Sequence, residues 1–307
     1  MIGVVIKTTG ILYDVKSENG DLIECRLKGK FRTKGIQSTN PIVVGDKVKL
    51  ERTDGSYMIV DLFERKNYIV RKSVNLSKQT HIIASNIDQL LLMVTLINPI
   101  TTTTFIDRVL VSANAFGVDT VLVFNKIDLH DLHVGEENNK LAGVYEKIGY
   151  KTISLSVLKN DLSAIKDLMK GKINLVSGHS GVGKSTLINK LQPDLHIDTK
   201  EVSGTYNQGQ HTTTFSELHE LDFGASIIDT PGIRGFGLVK IEKNEIANFF
   251  PEFFALRNKC KYHNCIHLNE PACRVKAALD QNEIAHSRYL SYLGMLEENG
   301  SYRLSDY

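Results

Sequence analysis

The chain has few cysteines, no long apolar run and almost no excess charge, and each shortage narrows what it can be. Only four cysteines occur in 307 residues. Three of them crowd one C-terminal stretch, which does not suit the disulfide framework of a small secreted domain. The opening MIGVVIKTTG has no basic stretch leading into a long apolar core, so no secretory signal is expected. The longest apolar run, LLLMVTLI at 90–97, is far short of the roughly 20 residues that span a bilayer. It suits a buried strand. A cytoplasmic protein with no membrane partner is therefore expected. Lys plus Arg number 37 and Asp plus Glu 35, a net charge of +2. Bulk charge does not announce a nucleic-acid binder, and only a local basic patch could serve one. Repeats and low-complexity segments are also missing.

What is there reads as three consecutive patterns, in a length that suggests two or three domains. Residues 1–72 are β-rich. GVVIKTTGILYDV, DLIECRLKG, GDKVKLER and SYMIVDLFE are separated by the turn signals ENGD, NPIVVGD and TDGS, and this spacing predicts a small OB-fold barrel. Its loop KGKFRTKG, 28–35, is basic with one aromatic, Phe31; it reads as a nucleic-acid contact or as a solvated hairpin loop. Residues 73–238 alternate near-continuous apolar strands (IDQLLLMVTL, TVLVFNKIDL, KTISLSV, KINLVSG) with helical periods (FIDRVLVSANAFG, GEENNKLAGVYEKIG, DLSAIKDLMKG, GKSTLINKLQ). That predicts a doubly wound α/β domain with a largely parallel sheet. Residues 239–307 turn mainly helical around a Cys/His cluster.

The central pattern carries the chemistry. GHSGVGKST, 178–186, follows an apolar strand and opens a helix, the setting of a phosphate-binding loop. Gly178, Gly181 and Gly183 let backbone N–H groups turn inward. With His179, Ser180, Val182 and Thr186 they form the candidate cradle, aided by the helix N-terminus. Lys184 would reach the outer phosphates and Ser185 would ligate Mg²⁺. DTPG, 229–232, ends another apolar strand; Asp229 would hold Mg²⁺ through water and Gly232 would offer its N–H to the γ-phosphate. Between them GQHTTT, 209–214, supplies Thr212 and Thr213, of which Thr213 is the preferred Mg²⁺ ligand. The run Thr101 to Thr104 lies outside that interval and reads as a loop and helix cap.

NKID, 125–128, follows the strand TVLVF. Asp128 would accept from the guanine N1–H and 2-amino groups, donors that adenine lacks. Asn125 would bond the other edge of the base and tether the phosphate loop. Lys126 would lay its stem along the base beside Ile127. Ser156-Val157 stands where a Ser-Ala would be expected, and a backbone N–H there can reach guanine.

Cys260-x4-Cys265-x-His267-x5-Cys273 offers three thiolates and one imidazole. It suits one closed, structural zinc; the competing reading is three buried cysteines without metal. The surrounding RNKCKYHNC is basic and aromatic enough to touch RNA.

The motif order is NKID, Ser156, phosphate loop, threonines, DTPG, whereas ordinary GTPases begin with the phosphate loop. The order is a circular permutation, which nearby domain termini make physically tolerable, and it connects DTPG directly to the C-terminal segment. In these motifs nearly the whole chain resembles the circularly permuted, ribosome small subunit-dependent GTPase A family. The resemblance implies an OB-fold, GTP hydrolysis, a cytoplasmic bacterial protein and late maturation of the small ribosomal subunit on its rRNA. It also implies zinc on Cys260, Cys265, His267 and Cys273, Mg²⁺ with GTP, and His211 as a water-orienting catalytic residue, which otherwise reads as an exposed loop histidine. A monomer is expected. His179 and Gln210 depart from the glutamine and arginine expected of the family. Ile233 follows the DTPG glycine where many GTPases place glutamine, so slow intrinsic turnover with the subunit as activator is expected. The alternatives are a nucleotide-gated RNA-binding module in which hydrolysis only resets occupancy, and a GTPase serving a membrane or metal-trafficking partner.

Overall fold

The computed structural model describes residues 1–28, 41–72, 80–195, 216–229, 238 and 241–297. Five strands open the chain: β1 (Ile2–Thr8), β2 (Leu12–Ser17), β3 (Leu22–Leu27), β4 (Lys47–Thr53) and β5 (Ser56–Leu62). They pair β1-β2-β3-β5-β4, and β4 returns to β1, closing a small OB-like barrel. Alternate residues of β1 and β2 point inward, as the period-2 geometry of a strand demands. Val5, Tyr13, Val15, Cys25, Val48, Leu50 and Ile59 fill the interior. Cys25 is thus a core residue of the barrel, apart from the other three cysteines. The basic stretch with Phe31 lies outside the described residues, apart from Lys28.

A hairpin follows, β6 (Tyr68–Lys72) with β7 (Thr80–Ser85). It is fastened to the barrel by Asp46, whose fully buried carboxylate accepts from Arg65 at 2.6 and 2.7 Å and from the Ser85 hydroxyl at 2.6 Å.

The central sheet contains β8 (Gln89–Val94), β9 (Asp119–Phe124), β10 (Lys151–Ser154), β11 (Ile173–Ser177), β12 (Glu217–Leu221) and β13 (Ala225–Asp229). The order is β10-β9-β8-β11-β13-β12, parallel from β10 to β13 with β12 antiparallel. Helices α1 (Thr103–Ala115), α2 (Leu132–Lys147), α3 (Ser163–Met169) and α4 (Lys184–Leu191) cover its faces. The apolar run of β8 is explained by that cover. Leu90, Leu92 and Val94 pack with Phe105, Ile106, Val109 and Leu110 of α1. Leu91 and Met93 pack on the other face with Ile165 of α3 and Leu187 and Ile188 of α4. Each fully buried side chain of this size contributes about 1.5–3 kcal/mol.

The barrel and the central sheet are one hydrogen-bonded surface, because β12 pairs antiparallel with β1. Lys7–Glu217 at 2.9 Å and Lys16–Glu220 at 2.5 Å flank that seam. The C-terminal part is helical: α5 (Pro251–Leu256), α6 (Arg274–Asp280) and α7 (His286–Glu297) around Phe250, Phe253, Val275, Ala278 and Tyr292. No helix among the described residues is long and apolar enough to cross a membrane.

Candidate active site and metal centre

The chain visits β8, β9 and β10 in one direction, then returns to lay β11 on the other side of β8. Adjacent strands whose connections leave in opposite directions open a crevice at their C-terminal ends. The loop 178–183 starts from β11 at that crevice and ends at α4. Its glycines are structural requirements. Gly183 has φ +103°, and a Cβ there would fall 2.4 Å from Nδ2 of Asn125. Gly178 has φ +144°, and a Cβ there would fall 2.6 Å from the Met93 carbonyl oxygen. A side chain at either point would collide with these neighbours, and both positive φ values favour glycine.

Lys184 donates through Nζ to the carbonyls of Gly178 and His179, at 2.8 and 2.6 Å. Its ammonium therefore ties the start of α4 back to the start of the loop. The His179 ring lies against Phe105 of α1, centroids 3.9 Å apart. Burial, then the neighbouring Lys184 charge, lowers the His179 pKa, which keeps the ring neutral. Ser185 and Thr186 occupy the first turn of α4, both half-buried.

The NKID loop leaves the end of β9 beside this cradle. Asn125 donates through Nδ2 to the Val182 carbonyl at 2.8 Å and accepts at Oδ1 from the Val157 N–H at 2.9 Å. One buried amide thus laces three loops together. Lys126 is in the left-handed conformation, φ +65°, and its Nζ donates to the Asn98 carbonyl. Burial lowers its pKa. Ile127 and Asp128 lie in a short 3₁₀ turn. The Ser156 hydroxyl beside Asp128, with Lys159 Nζ 3.7 Å away, holds that carboxyl below the usual carboxylate range. An ionised carboxylate is an acceptor only, as the reading of two guanine donors requires. The Ser156 N–H donates to Asn160, so Val157 is the residue at this loop whose N–H faces Asn125. Thr102 caps α1, accepting from the Phe105 N–H at 3.3 Å.

Asp229 ends β13, the parallel neighbour of β11, from which the phosphate loop starts. Gln210, His211, Thr212, Thr213, Gly232 and Ile233 lie outside the described residues.

The second centre is at the base of α6. The ligand atoms of Cys260, Cys265, His267 and Cys273 lie within 4.8 Å of one another. The three sulfurs stand 3.7, 3.4 and 3.4 Å from His267 Nδ1. A tetrahedral zinc with ordinary bond lengths sets sulfur and imidazole nitrogen about 3.6 Å apart. One ring nitrogen cannot bond three sulfurs at once, and the four groups are placed so that they could hold one metal ion. Burial pushes the Cys265 thiol up to about 12 and raises Cys273; thiolates here need a cation beside them. The supports are in place. Backbone N–H groups of Arg274 and Lys276 point at the sulfurs of Cys260 and Cys273, at 3.4 and 3.5 Å. Glu270 accepts from the N–H groups of Ile266 and Leu268. Tyr289 and Tyr292 donate to the carbonyls of His267 and Ile266, at 2.8 and 2.6 Å. Sequence reading named the four residues that converge here and missed these supports, although two tyrosines three apart on a helix after the cluster were a usable signal.

A phosphate loop at the sheet's switch point, laced to an NKID loop that precedes it in the chain, defines a circularly permuted GTPase. The family model described as RsgA GTPase matches residues 62–239, and the RsgA N-terminal domain matches residues 2–59. The chain belongs to the RsgA GTPase family, and it is a GTP-hydrolysing enzyme. It is 54% identical to a Flavobacterium johnsoniae protein named small ribosomal subunit biogenesis GTPase RsgA, over 100% of this chain and 96% of that one. It is 50% identical to the Bacteroides fragilis protein of the same name, over 99% of each chain. Its fold matches the crystal structure of YjeQ from Thermotoga maritima with a TM-score of 0.79, at 33% identity, over 98% of this chain and 99% of that one. It also matches YloQ, described as a circularly permuted GTPase, with a TM-score of 0.74, at 28% identity, over 96% and 93%.

Proposed function

We propose that this GTPase acts in late maturation of the small ribosomal subunit, binding the subunit and its rRNA with GTP and leaving after subunit-stimulated hydrolysis. The relatives' names support the partner. The observation that carries the enzymatic half is Asn125, whose two hydrogen bonds join a base-reading loop to a phosphate loop. In this reading residues 1–72 are the RNA-binding barrel, 73–238 the permuted GTPase domain and 239–307 the zinc-bearing helical domain, in a cytoplasmic monomer.

Residues 178–186 wrap the phosphates with backbone N–H groups, and Lys184 exchanges its loop carbonyls for phosphate oxygens. Asp128 selects guanine, Lys126 covers the base, and Ser156 stands beside Asp128 at the base. Ser185 and Thr213 hold Mg²⁺, with Asp229 behind a water. The ion supplies charge neutralisation at the phosphates. Gly232 would offer its N–H to the terminal phosphate, and Thr212 is the second candidate beside Thr213. His211 orients the water that Ile233 cannot, once the subunit positions its loop. Cys260, Cys265, His267 and Cys273 hold one structural zinc.

A second reading is favoured by Ile233: a nucleotide-gated RNA-binding module in which hydrolysis only resets occupancy. The two separate on a His211→Ala protein loaded with GTP and mixed with small subunits. Retention on the subunit through sedimentation supports the maturation cycle. Release at the rate of the unmodified protein supports the gated module.

A further inference from the structure

The loop 178–183 needs a rigidity that its own residues do not supply. Three of its six residues, Gly178, Gly181 and Gly183, are glycines with positive φ. Glycine loses more conformational freedom on ordering than any other residue, so such a cradle binds well only where its surroundings hold its shape beforehand. The far end has a hold in Asn125, which donates to the Val182 carbonyl at 2.8 Å. The near end is held by a ring. The His179 imidazole lies against Phe105, with centroids 3.9 Å and planes 31° apart. Phe105 is buried in the core that covers β8, and His179 is half-buried. Phe105 is thus the fixed partner and His179 the one held. The threonine run before Phe105 sets its place. The Thr101 hydroxyl accepts from the Thr95 N–H at 3.1 Å, and the Thr101 N–H donates to the Thr95 carbonyl at 2.8 Å, which fastens the entry of α1 to the end of β8. Thr102 then caps the Phe105 N–H at 3.3 Å.

We propose that Phe105 is a positioning residue for nucleotide binding, acting through the His179 ring to hold the near end of the phosphate loop open to the phosphates. The proposal rests on the reading of residues 178–186 as that loop. The His179 carbonyl accepts from Lys184 Nζ at 2.6 Å. The ring contact therefore fixes the peptide that Lys184 must leave when it turns to a phosphate oxygen. Burial and the Lys184 charge favour the neutral imidazole, which packs on Phe105 without the cost of desolvating a cation. The device belongs to this chain in particular, because the glutamine expected of the family has no ring to set against Phe105. If the ring pair were only core packing, its loss would lower stability and leave the nucleotide affinity of the folded chain unchanged.

The test is equilibrium binding of GDP and of inosine diphosphate to the full-length chain, by competition against a fluorescent GDP analogue. Phe105→Leu and His179→Gln should each weaken GDP about two- to ten-fold, the worth of an aromatic pair. The double variant should lose little more than either single one, because both remove the same contact. His179→Phe, which keeps a ring, should restore most of the affinity. Inosine diphosphate lacks only the 2-amino group of the base, so the ratio of the two affinities should hold while both fall. Should Phe105→Leu not fold, His179→Gln set against His179→Phe carries the same test. Unchanged GDP affinity in the single variants, losses that add in the double variant, or a fall in the ratio as large as the fall in affinity would overturn the proposal. Lys184→Ala separates it from the reading beneath it. GDP binding that weakens in Lys184→Ala and not in Phe105→Leu overturns this proposal alone. GDP binding unchanged in Lys184→Ala removes the phosphate loop, and the proposal with it.

Discussion

Arg288 of α7 meets Asp107 of α1 at 2.6 Å, with the two side chains 1% and 0% exposed. The same guanidinium holds Glu252 of α5 at 2.7 Å, and Tyr145 of α2 donates to Asp107 at 2.8 Å. Burial opposes the arginine's charge, but the two carboxylates outweigh it, so its pKa is raised. The cluster fixes the helical module to the GTPase domain. Any swing of that module must break this cluster or carry α1 with it, and α1 also holds Phe105 against His179 of the phosphate loop.

Arg288→Met would leave two buried carboxylates without their cation. It should cost about 3–5 kcal/mol of stability, read as a lower urea midpoint. Adding Asp107→Leu and Glu252→Gln should recover most of it, because apolar substitutes for buried ion clusters are often neutral. A single variant with an unchanged midpoint would show that the cluster does not hold the two parts together.

Asn125→Ala removes both lacing bonds and strands the Val157 N–H and the Val182 carbonyl. GDP binding should weaken about 10- to 100-fold, the equivalent of about 1.4–2.7 kcal/mol. Titration with a fluorescent GDP analogue measures it, and an affinity within twofold of the parent would speak against the tether.

Much of this site was legible because phosphate and guanine chemistry dictates residue type and spacing locally. The glycines of 178–183, Lys184 and the NKID run were visible for that reason, as was the Cys/His cluster. The run of β8 was visible because burial on both faces leaves only apolar residues. What escaped is long-range. Hairpin β6–β7 is short, and β12 carries two glutamates and a histidine in five residues, which conceals its role. Its pairing with β1 spans about two thirds of the chain. Nothing local announces that Arg288 will sit 181 residues away from its partner Asp107. A backbone N–H at Ser156-Val157 is expected to reach guanine, but nothing local announces that the Val157 N–H bonds Asn125.

The Asp128 carboxyl predicts a pH dependence. Its pKa is depressed in the folded protein, first by the Ser156 hydroxyl and also by Lys159. The ionised form is therefore the one favoured. Its contribution is complete above the ordinary carboxylate value of about 3.9 and is lost only as pH falls through the lower, folded value. The ratio of GDP to ADP affinity, in which phosphate titration largely cancels, should stay flat from pH 8 to pH 5. A ratio that falls with a midpoint near pH 6 would mean that Asp128 is not the selecting group. Asp128→Asn should lower the ratio at every pH.

Removing the proposed zinc should unfold one part of the chain and spare another. With a strong chelator, or with Cys273→Ser, helices α5 to α7 lose the loop that Tyr289 and Tyr292 hold. Protease cleavage after residue 241 should accelerate at least tenfold, since structural zinc contributes about 10 kcal/mol or more to such modules. Guanine-nucleotide binding at residues 178–186 should persist, though weakened through α1. Unchanged protection with the metal removed would argue that the cysteines form a core without it.

The most direct measurement is GTP turnover by the full-length chain, alone and with purified small and large ribosomal subunits at one stated salt concentration. Ile233 predicts slow turnover alone. The account predicts stimulation on the order of tenfold or more, at least 1.4 kcal/mol off the barrier, by the small subunit only, and its loss in His211→Ala. Stimulation by neither subunit, or equally by both, would contradict it.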